Sequence, residues 1–354
     1  MKRDYKLYVG TYAQENQAGI FQYRIDGKDR SIQLELEKSG ISNPSYLALS
    51  EDGYHLYAVM EDMEYHGEPG GGFGVLECKE NQLKLIHSKG TKGTLPCHVL
   101  LDKKNRYAFV SNYMSGSFSM FSLEMNGHIR ALCDFKQHEG KGTHPTRQEG
   151  PHVHFSGMDP QKDGLWCVDL GQDKIIYYKI NQQEECLEHC PERDIVFPGG
   201  CGPRHFVIHP ICPKWMYVVC ELSSEVFAID ISREKPEIFQ RISTLDTADV
   251  ESTCAAIKCS QDGRFLYASN RGDDSIAVYE IVQDTGLLNR IQIQKTMGKS
   301  PRDFLILEDM LLAANQDSNN ITCFYRDEAT GKLCPEEENI VCHAPVCLIA
   351  YPED

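Results

Sequence analysis

The chain has 354 residues, of which 36 are basic and 52 acidic, so its formal charge is −16. This acidic balance argues against a protein that follows a nucleic-acid backbone or binds an anionic membrane surface, because both need a basic face. A small anionic ligand remains compatible with it, since a few arginines can form one positive pocket. No segment approaches 18 consecutive apolar residues, and the first residues carry charge without an apolar signal core. We therefore expect a cytoplasmic protein without a membrane span.

The 15 cysteines have irregular spacing and include no C-x-x-C pair. Without a secretion signal, they are expected to be reduced thiols rather than a disulfide framework. Cys186, His189 and Cys190 form an incomplete zinc pattern, because no second ligand pair follows at the spacing of a zinc site. We expect neither a metal nor another cofactor.

A repeat of about 50 residues runs through the chain, in the range of propeller blades. Each repeat starts with an anchor, usually a proline, which is followed by a short apolar run. The seven anchors begin at Pro44, Pro96, Pro151, Pro203, Thr253, Pro301 and Pro345.

Within a repeat, the elements follow a constant order, which the fifth repeat shows clearly. The anchor strand ends at an Asp-Gly turn at 262–263, which favours a hairpin. A second strand follows at 265–268, then a polar elbow at 270–273, and then an alternating third strand at 275–281. A weaker fourth strand follows a turn at 286. Four strands per repeat, seven repeats and no long helical period predict an all-β, seven-bladed β-propeller.

The two ends of the chain complement each other. After the seventh anchor only one strand remains, at 346–351, whereas three unassigned strands precede the first anchor, at 6–10, 19–25 and 32–36. We therefore expect the last blade to combine the N-terminal strands with the C-terminal strand, which leaves no open edge. Residues 1–354 are thus predicted to form a single propeller domain, although the length alone also allows two domains.

The topology places the candidate site at one mouth of the central channel. The first strand of each blade lines the axis, and its start lies beside the end of the second strand. The anchors and the elbows of all blades therefore face the same opening, a natural concave site. The anchors contribute His98, His152, His154, Arg204, His205, Arg302 and Asp303. The elbows contribute Glu61, Asn112, Tyr113, Asp169, Glu221, Asn270, Arg271, Asn315 and Gln316.

The residue types in this ring favour chemistry on a small anionic, carbonyl-bearing substrate. The chain has no G-x-S-x-G elbow, H-E-x-x-H motif or P-loop. His152 and His154 lie two apart on a strand and could form a metal pair with other ring members, but Arg204 and Arg271 argue against a cation there. Arginine forks bind carboxylate or phosphate and stabilise a developing oxyanion. A histidine or glutamate can deprotonate water or a carbon acid.

Several segments of this ring resemble the seven-bladed lactonase family, which includes bacterial 6-phosphogluconolactonases and fungal carboxymuconate lactonising enzymes. The resemblance covers nearly the whole chain in order. The segments are 147–154, 168–175, 202–205, 220–222, 269–276, 298–304 and 313–316. It implies that the active residues are His154 (or His152), Arg204, Glu221 and Arg271. Asp303 and the insert at 136–146 are expected to be loop variation.

The leading hypothesis is hydrolysis of a sugar lactone, most simply 6-phosphogluconolactone in the pentose phosphate pathway. Glu221 or His154 would activate water, and Arg204 and Arg271 would hold the phosphate and the developing oxyanion. The expected substrate-binding residues are His98, His152, Asn112, Tyr113, Asp169, Arg302, Asn315 and Gln316, with Asn112 and Asn315 orienting hydroxyls.

Two alternatives stay open at this point. The first is a cycloisomerase or lyase that acts on a muconate-like acid with the same residues. The second is a non-catalytic propeller that serves as a binding scaffold, because a fold does not determine a function. We expect a monomer or weak homodimer whose partner is the small anionic lactone.

Overall fold

A computed structural model describes residues 3–79, 82–247 and 249–353. Seven antiparallel sheets of four strands each make up the fold, and their innermost strands contact one another in cyclic order. The prediction of a seven-bladed β-propeller is therefore confirmed. In the described part of the chain, no helix has the length and apolar character that crossing a membrane requires.

The closing blade joins the two ends of the chain, as the sequence predicts. Its sheet runs from the outside inward as β3, β2, β1 and the last strand of the chain, β31. The strands are β1 (Tyr5–Thr11), β2 (Ile20–Ile25), β3 (Ile32–Lys38) and β31 (Pro345–Pro352). The register pairs Val9 with Leu348, so the N-terminal strand fixes the C-terminal strand in the channel wall.

The other six blades are antiparallel meanders that run outward from the channel in chain order. Blade 1 contains β4 (Leu47–Leu49), β5 (His55–Met60), β8 (Gly72–Lys79) and β9 (Gln82–Gly90). Blade 2 contains β10 (Pro96–Leu101), β11 (Tyr107–Asn112), β12 (Ser117–Leu123) and β13 (Ile129–Gln137). Blade 3 contains β14 (Val153–Met158), β15 (Gly164–Asp169), β16 (Lys174–Asn181) and β17 (Cys186–His189). Blade 4 contains β19 (Pro203–Ile208), β20 (Trp215–Cys220), β21 (Glu225–Asp230) and β22 (Glu237–Ser243). Blade 5 contains β23 (Thr253–Cys259), β24 (Phe265–Arg271), β25 (Ser275–Ile281) and β26 (Leu288–Lys295). Blade 6 contains β27 (Pro301–Leu307), β28 (Met310–Asn315), β29 (Asn320–Arg326) and β30 (Leu333–Val341).

A few short elements lie outside the four main strands of the blades. The hairpin β6 (Glu64–Tyr65) and β7 (Glu68–Pro69) is inserted into blade 1, and β18 (Ile195–Val196) pairs with β16. Three 3-10 turns span Leu170–Gln172, Pro191–Arg193 and Gln316–Ser318.

The hydrophobic core consists of seven clusters, one at each interface between neighbouring blades. The cluster between the closing blade and blade 6, for example, combines Val9 and Leu348 with Leu312 and Ile321. Both faces of each sheet are therefore covered, which explains why the inner strands contain long apolar runs rather than strict alternation.

A tyrosine on the second strand of three blades fastens each of these blades to the next one. Tyr57, Tyr217 and Tyr267 donate from their hydroxyls to the carbonyls of Gly127, Gly286 and Gly331, over 3.0, 2.9 and 2.8 Å. All three glycines adopt a positive φ. The polar ends of these buried tyrosines are thereby satisfied, as burial requires.

A β-bulge recurs where the inner strand begins, and it determines which side chains reach the channel. The register between the first two strands shifts after Pro96, Val153, Pro203 and Pro301, with one extra residue in the inner strand each time. The extra residues are Cys97, His154, Arg204 and Arg302, and Val346 is the extra residue of β31. Bulges commonly turn a side chain next to an active site.

Candidate active site

The bulged residues meet around a small cavity in the channel. Ionisable and hydroxyl side chains from several blades surround it. Its lining consists of Ser45, Tyr46, Glu61, Cys97, His154, Arg204, His205, Arg302, Asp303 and Val346. The recurrent bulge thus brings together functional groups that lie about 50 residues apart in sequence.

Three arginines converge on Glu221, which lies directly after β20. Arg204 Nε and Arg271 Nη2 lie 2.8 and 2.9 Å from Glu221 Oε2, and Arg147 Nη2 binds Oε1. Arg204 also donates to the carbonyl of Ala255 over 2.7 Å. We call Arg147, Arg204 and Arg271 the arginine cluster.

The arginine cluster controls the charge of Glu221. Burial alone would raise the pKa of this carboxyl, but Arg271, Arg204 and Arg147 outweigh burial and hold the pKa at about 2. Burial and the like charge of Arg271 in turn lower the pKa of Arg204 to about 10. At neutral pH the site therefore holds three guanidinium groups against one carboxylate, and this surplus of positive charge attracts an anion.

The arginine cluster spans a gradient of exposure. The Arg204 side chain is 2% exposed, that of Arg271 is 15% exposed and that of Arg147 is 37% exposed. Arg147 also donates to the Tyr113 hydroxyl over 3.4 Å. The cluster therefore extends from Arg204 in the cavity lining to the more exposed Arg147, which marks the rim of the site.

A second carboxylate, Glu61, lies in the cavity lining in a different environment. Tyr12 donates its hydroxyl to both Glu61 oxygens over 3.0 Å, and the Ser45 hydroxyl binds Oε2. The Arg302 guanidinium lies 5.3 Å from the centroid of the Tyr12 ring. Burial raises the pKa of Glu61 in spite of the opposing charge of Arg302 and the two hydroxyl donors.

His154 lies among positive charges and is neutral at physiological pH. Burial, Arg204 and Arg302 hold its pKa well below the ordinary value. Among the described residues, its buried Nδ1 has no hydrogen-bond partner. The ring lies 5.1 Å from that of His205, whose pKa is lowered by the same burial and by Arg204.

Aromatic rings pack against Tyr46 and His205 of the cavity lining. His98 lies 4.5 Å from the Tyr46 ring and 4.2 Å from the Phe155 ring, and Phe155 lies 4.6 Å from His205. Burial lowers the pKa of His98 to about 3. Tyr46, His98 and Phe155 also line a largely apolar space with Leu47 and other inner-strand residues. His98, predicted to bind substrate, thus lines this apolar space and contacts the cavity lining through Tyr46.

Asn112 and Asn315, predicted to orient substrate hydroxyls, form hydrogen bonds within their own blades. The amide of Asn112 donates to the hydroxyls of Ser117 and Ser119 over 3.2 and 3.0 Å. Asn315 donates to the Thr322 hydroxyl over 3.1 Å, and Asn270 makes the corresponding contact with a serine in blade 5. Each asparagine is fully buried. The structure therefore places these amides between strands and not in the cavity lining.

Asp169, His152 and Tyr113 form a neighbouring polar layer. Asp169 is fully buried, accepts from the backbone N–H of His152 over 2.9 Å and pairs with His138 Nδ1 over 2.7 Å. His152 stacks on Tyr113 at 4.5 Å and contacts the Tyr113 carbonyl through Nδ1 at 3.0 Å. The bulge brings His154, and not His152, into the cavity lining. Tyr113 connects this layer to Arg147.

Of the two remaining predicted positions, Asp303 belongs to the cavity lining and Gln316 does not. Gln316 is half-buried at the start of a 3-10 turn, and its N–H donates to the Ser300 carbonyl over 3.1 Å. Asp303 pairs with Lys258 over 2.9 Å and accepts from the N–H of Leu348 over 2.8 Å, so it connects blades 5 and 6 with the closing blade.

The cysteine and histidine pattern at 186–190 lies on the outer edge of blade 3. There His189 Nε2 contacts Asp194 over 2.9 Å. Within residues 3–79, 82–247 and 249–353, no cluster of three or more His, Cys, Asp or Glu residues could hold a metal ion.

Sequence reasoning did not single out Arg147, Tyr12, Ser45 or Tyr46 as site residues, and it placed Glu61 in the ring without a role. Arg147 lies in the segment that carries the family resemblance, so that segment was the available signal. Tyr12 follows β1 and comes close to the site only because the closing blade contains the N-terminus. A residue this far from the repeat anchors gives no spacing signal.

Comparisons with known proteins agree with this architecture. The family model described as "Lactonase, 7-bladed beta-propeller" matches residues 6–350. A 6-phosphogluconolactonase of Bacillus subtilis is 33% identical over 348 residues, which cover 96% of this chain and 97% of that protein. One of Formosa agariphila is 34% identical over 334 residues, covering 92% of this chain and 94% of that protein.

Solved structures show the same similarity. A putative 6-phosphogluconolactonase from Bacteroides fragilis superposes with a TM-score of 0.92 at 28% identity, covering 99% of this chain and 98% of that one. The periplasmic gluconolactonase of Pseudomonas aeruginosa superposes with a TM-score of 0.91 at 28% identity, covering 98% and 99%. Together with the four-stranded blades and the cationic channel, the match over nearly all of the sequence shows that the chain belongs to the seven-bladed β-propeller lactonase family.

Proposed function

We propose that this lactonase opens a sugar lactone that carries an anionic group, most simply 6-phosphogluconolactone, by hydrolysis. The observation that supports this best is the arginine cluster, in which three guanidinium groups share one carboxylate inside a protein of net charge −16. Relatives named 6-phosphogluconolactonase, at 33% and 34% identity, support the same substrate.

The difference in exposure suggests that the arginines bind different parts of the substrate. Arg147 and Arg271, nearer the rim, bind the phosphate through the N–H groups that Glu221 leaves available. Arg204 and Arg302, inside the cavity, receive the carbonyl oxygen as it becomes an oxyanion. Neutral His154 donates a hydrogen bond to the same oxygen, because its surroundings disfavour the imidazolium form.

Glu221 serves to hold the arginines rather than to accept a proton. Both of its oxygens are engaged, and a carboxyl with a pKa of about 2 is a poor base at neutral pH. His154 is also a costly proton acceptor, because protonation would add a positive charge beside Arg204 and Arg302. Neither of the two bases expected from the sequence is therefore favoured.

The test compares two substrates and two variants. Wild type should hydrolyse 6-phosphogluconolactone above the spontaneous rate and prefer it to glucono-δ-lactone. Arg147→Ala should raise KM for the phosphorylated lactone by about 10- to 100-fold, the value of a lost charge-assisted contact, and change KM for glucono-δ-lactone little. Arg233→Ala, which removes an exposed arginine paired with Glu237, is the matched control.

The blank without enzyme is part of the measurement, because lactones open spontaneously. A wild-type rate equal to this blank on both lactones would refute the proposed hydrolysis. Equal effects of Arg147→Ala on the two substrates would refute the assignment of the phosphate to the rim.

A further inference from the structure

Resting on the proposed lactone hydrolysis, we propose that Glu61 is the catalytic residue that takes the proton from the attacking water and returns it to the ring oxygen. Glu61 lines the same cavity as Arg204, Arg302 and His154. It is a carboxylate of the site that the arginine cluster does not hold.

The contacts of Glu61 prepare it for proton transfer. The Tyr12 and Ser45 hydroxyls fix the carboxylate from one side, yet its two oxygens offer about four acceptor positions in total. The remaining positions are available to a water molecule in the cavity. Tyr12 and Ser45 are positioning residues, because they act on the substrate through Glu61.

Burial makes Glu61 a better proton acceptor than His154, although Arg302 and Arg204 favour the ionised form of Glu61. The groups that face it are Tyr12 after β1, Arg302 on β27, Arg204 on β19 and Cys97 on β10. Protonation of Glu61 removes a buried negative charge, which burial favours, whereas protonation of His154 adds a positive charge beside two arginines. Pairs of titratable groups with opposed environments commonly divide acid and base roles in this way.

The reaction balances without a cofactor. The Glu61 carboxylate takes one proton from water, and the water oxygen bonds to the lactone carbonyl carbon. The resulting oxyanion is held by Arg204 and Arg302. When it collapses, the carbonyl re-forms, the bond to the ring oxygen breaks, and that oxygen takes the proton from Glu61 to become a hydroxyl. Lactone and water thus give a hydroxy acid, and Glu61 returns to its ionised form.

Glu61→Gln keeps the size and one acceptor of the side chain but cannot shuttle the proton. We expect its kcat for 6-phosphogluconolactone to fall by about 10²- to 10⁴-fold, as for other general bases. Glu64→Gln, which changes an exposed carboxylate on β6, is the matched control and should leave kcat unchanged. Urea unfolding of each variant checks that the fold is retained.

Variants of the positioning residues test the role of Glu61 through the pH dependence of kcat, which a purely structural role of these residues would not change. The base must be ionised, so kcat falls as the pH drops through the pKa of Glu61, which lies above 4.5. Ser45→Ala and Tyr12→Phe each remove one donor to the carboxylate, and Phe keeps the ring against Arg302. Each should therefore move the acidic limb of the pH profile upward by about one pH unit.

The outcomes separate this inference from the function on which it rests. A wild-type rate at the blank overturns the lactonase proposal itself. A wild-type rate above the blank with Glu61→Gln within about threefold of it overturns only the role of Glu61. An acidic limb that stays in place in both Ser45→Ala and Tyr12→Phe also overturns that role, even where Glu61→Gln does not fold.

Discussion

Replacement of Glu221 by glutamine should destabilise the protein strongly, because the carboxylate compensates three guanidinium groups. Arg204 and Arg271 are largely buried, so neither can recover full hydration when its partner loses its charge. Removal of one partner from a buried ion pair is costly for this reason. Glutamine has nearly the same shape, so the substitution tests charge rather than packing.

The pKa of Glu221 gives the magnitude. A fall from the ordinary 4.5 to about 2 corresponds to about 3 kcal/mol of interaction with the ionised form. Burial destabilises the charged Arg204 guanidinium, whose pKa is lowered to about 10. This destabilisation of the folded state persists when the residue at position 221 is neutral. We therefore expect Glu221→Gln to lose about 3 kcal/mol of unfolding free energy at pH 7.

The same reasoning fixes the pH dependence. The folded-state pKa of Glu221 is depressed, so the stabilisation is complete above pH 4.5 and is lost as the pH falls towards 2. The difference between wild type and Glu221→Gln should therefore shrink on acidification. By pH 4, about 1 kcal/mol of the difference should have disappeared.

Urea unfolding at pH 7, 5 and 4 measures these differences. Glu237→Gln is the matched control, since it breaks an ion pair between exposed side chains, and its expected cost is below about 1 kcal/mol. If Glu221→Gln unfolds at the same urea concentration as wild type at pH 7, Glu221 does not compensate the arginine cluster and the electrostatic account is refuted.

Two further predictions concern the fold and the choice of histidine. Gly286→Ala should lower the free energy of unfolding in urea by about 1–3 kcal/mol more than Gly67→Ala does. Both glycines have a positive φ, but a Cβ at position 286 would lie 2.6 Å from the Trp215 ring, whereas a Cβ at position 67 would meet open space. Equal costs would contradict the packing argument. His154→Ala should lower kcat for 6-phosphogluconolactone more than His152→Ala does, because only His154 lines the cavity; the reverse order would contradict the hydrogen bond proposed to the carbonyl oxygen.

The architecture was accessible from the sequence because it is periodic. Seven anchors, four strands in each repeat and complementary ends left one consistent arrangement, and the pairing of Val9 with Leu348 confirms it. Periodicity also directed the predicted site to the end of the channel where bulged inner-strand residues line a cavity. It could not separate the residues at that opening that face the cavity from those that connect strands.

Asn112, Asn270 and Asn315 show why the second task is harder. They lie at or next to the ends of second strands, where strand topology alone directs attention to the mouth of the channel. Their amides nevertheless bind hydroxyls of the next strand. Their recurrence in three blades was itself an indication, since a role repeated around a propeller suits the blade better than one asymmetric ligand. Polar residues that differ between blades, such as Glu61, give the better signal for a site.

The two histidines show where proline spacing fails as a guide to strand register. Proline spacing aligns Pro151 with the other anchors and so brings His152 into the position after the anchor. In the structure, Val153 takes the place that Pro203 has in blade 4, so His154 corresponds to Arg204. Pro151 thus lies two residues before the strand position that the prolines of blades 2, 4 and 6 occupy, so spacing from the anchors could not choose between the two histidines.

The bulge also places the channel-facing side chains outside the regular ladder of cross-strand pairs. The side chains at Cys97, His154, Arg204 and Arg302 protrude from extra residues, so replacing them leaves the regular cross-strand pairs on either side in place. One such position in each of blades 2, 3, 4 and 6, with Val346 in the closing blade, gives the fold a short set of channel-facing sites around one axis. Relatives with the same blades can therefore acquire different substrates through a handful of substitutions, and those positions are where a redesign of this lactonase should begin.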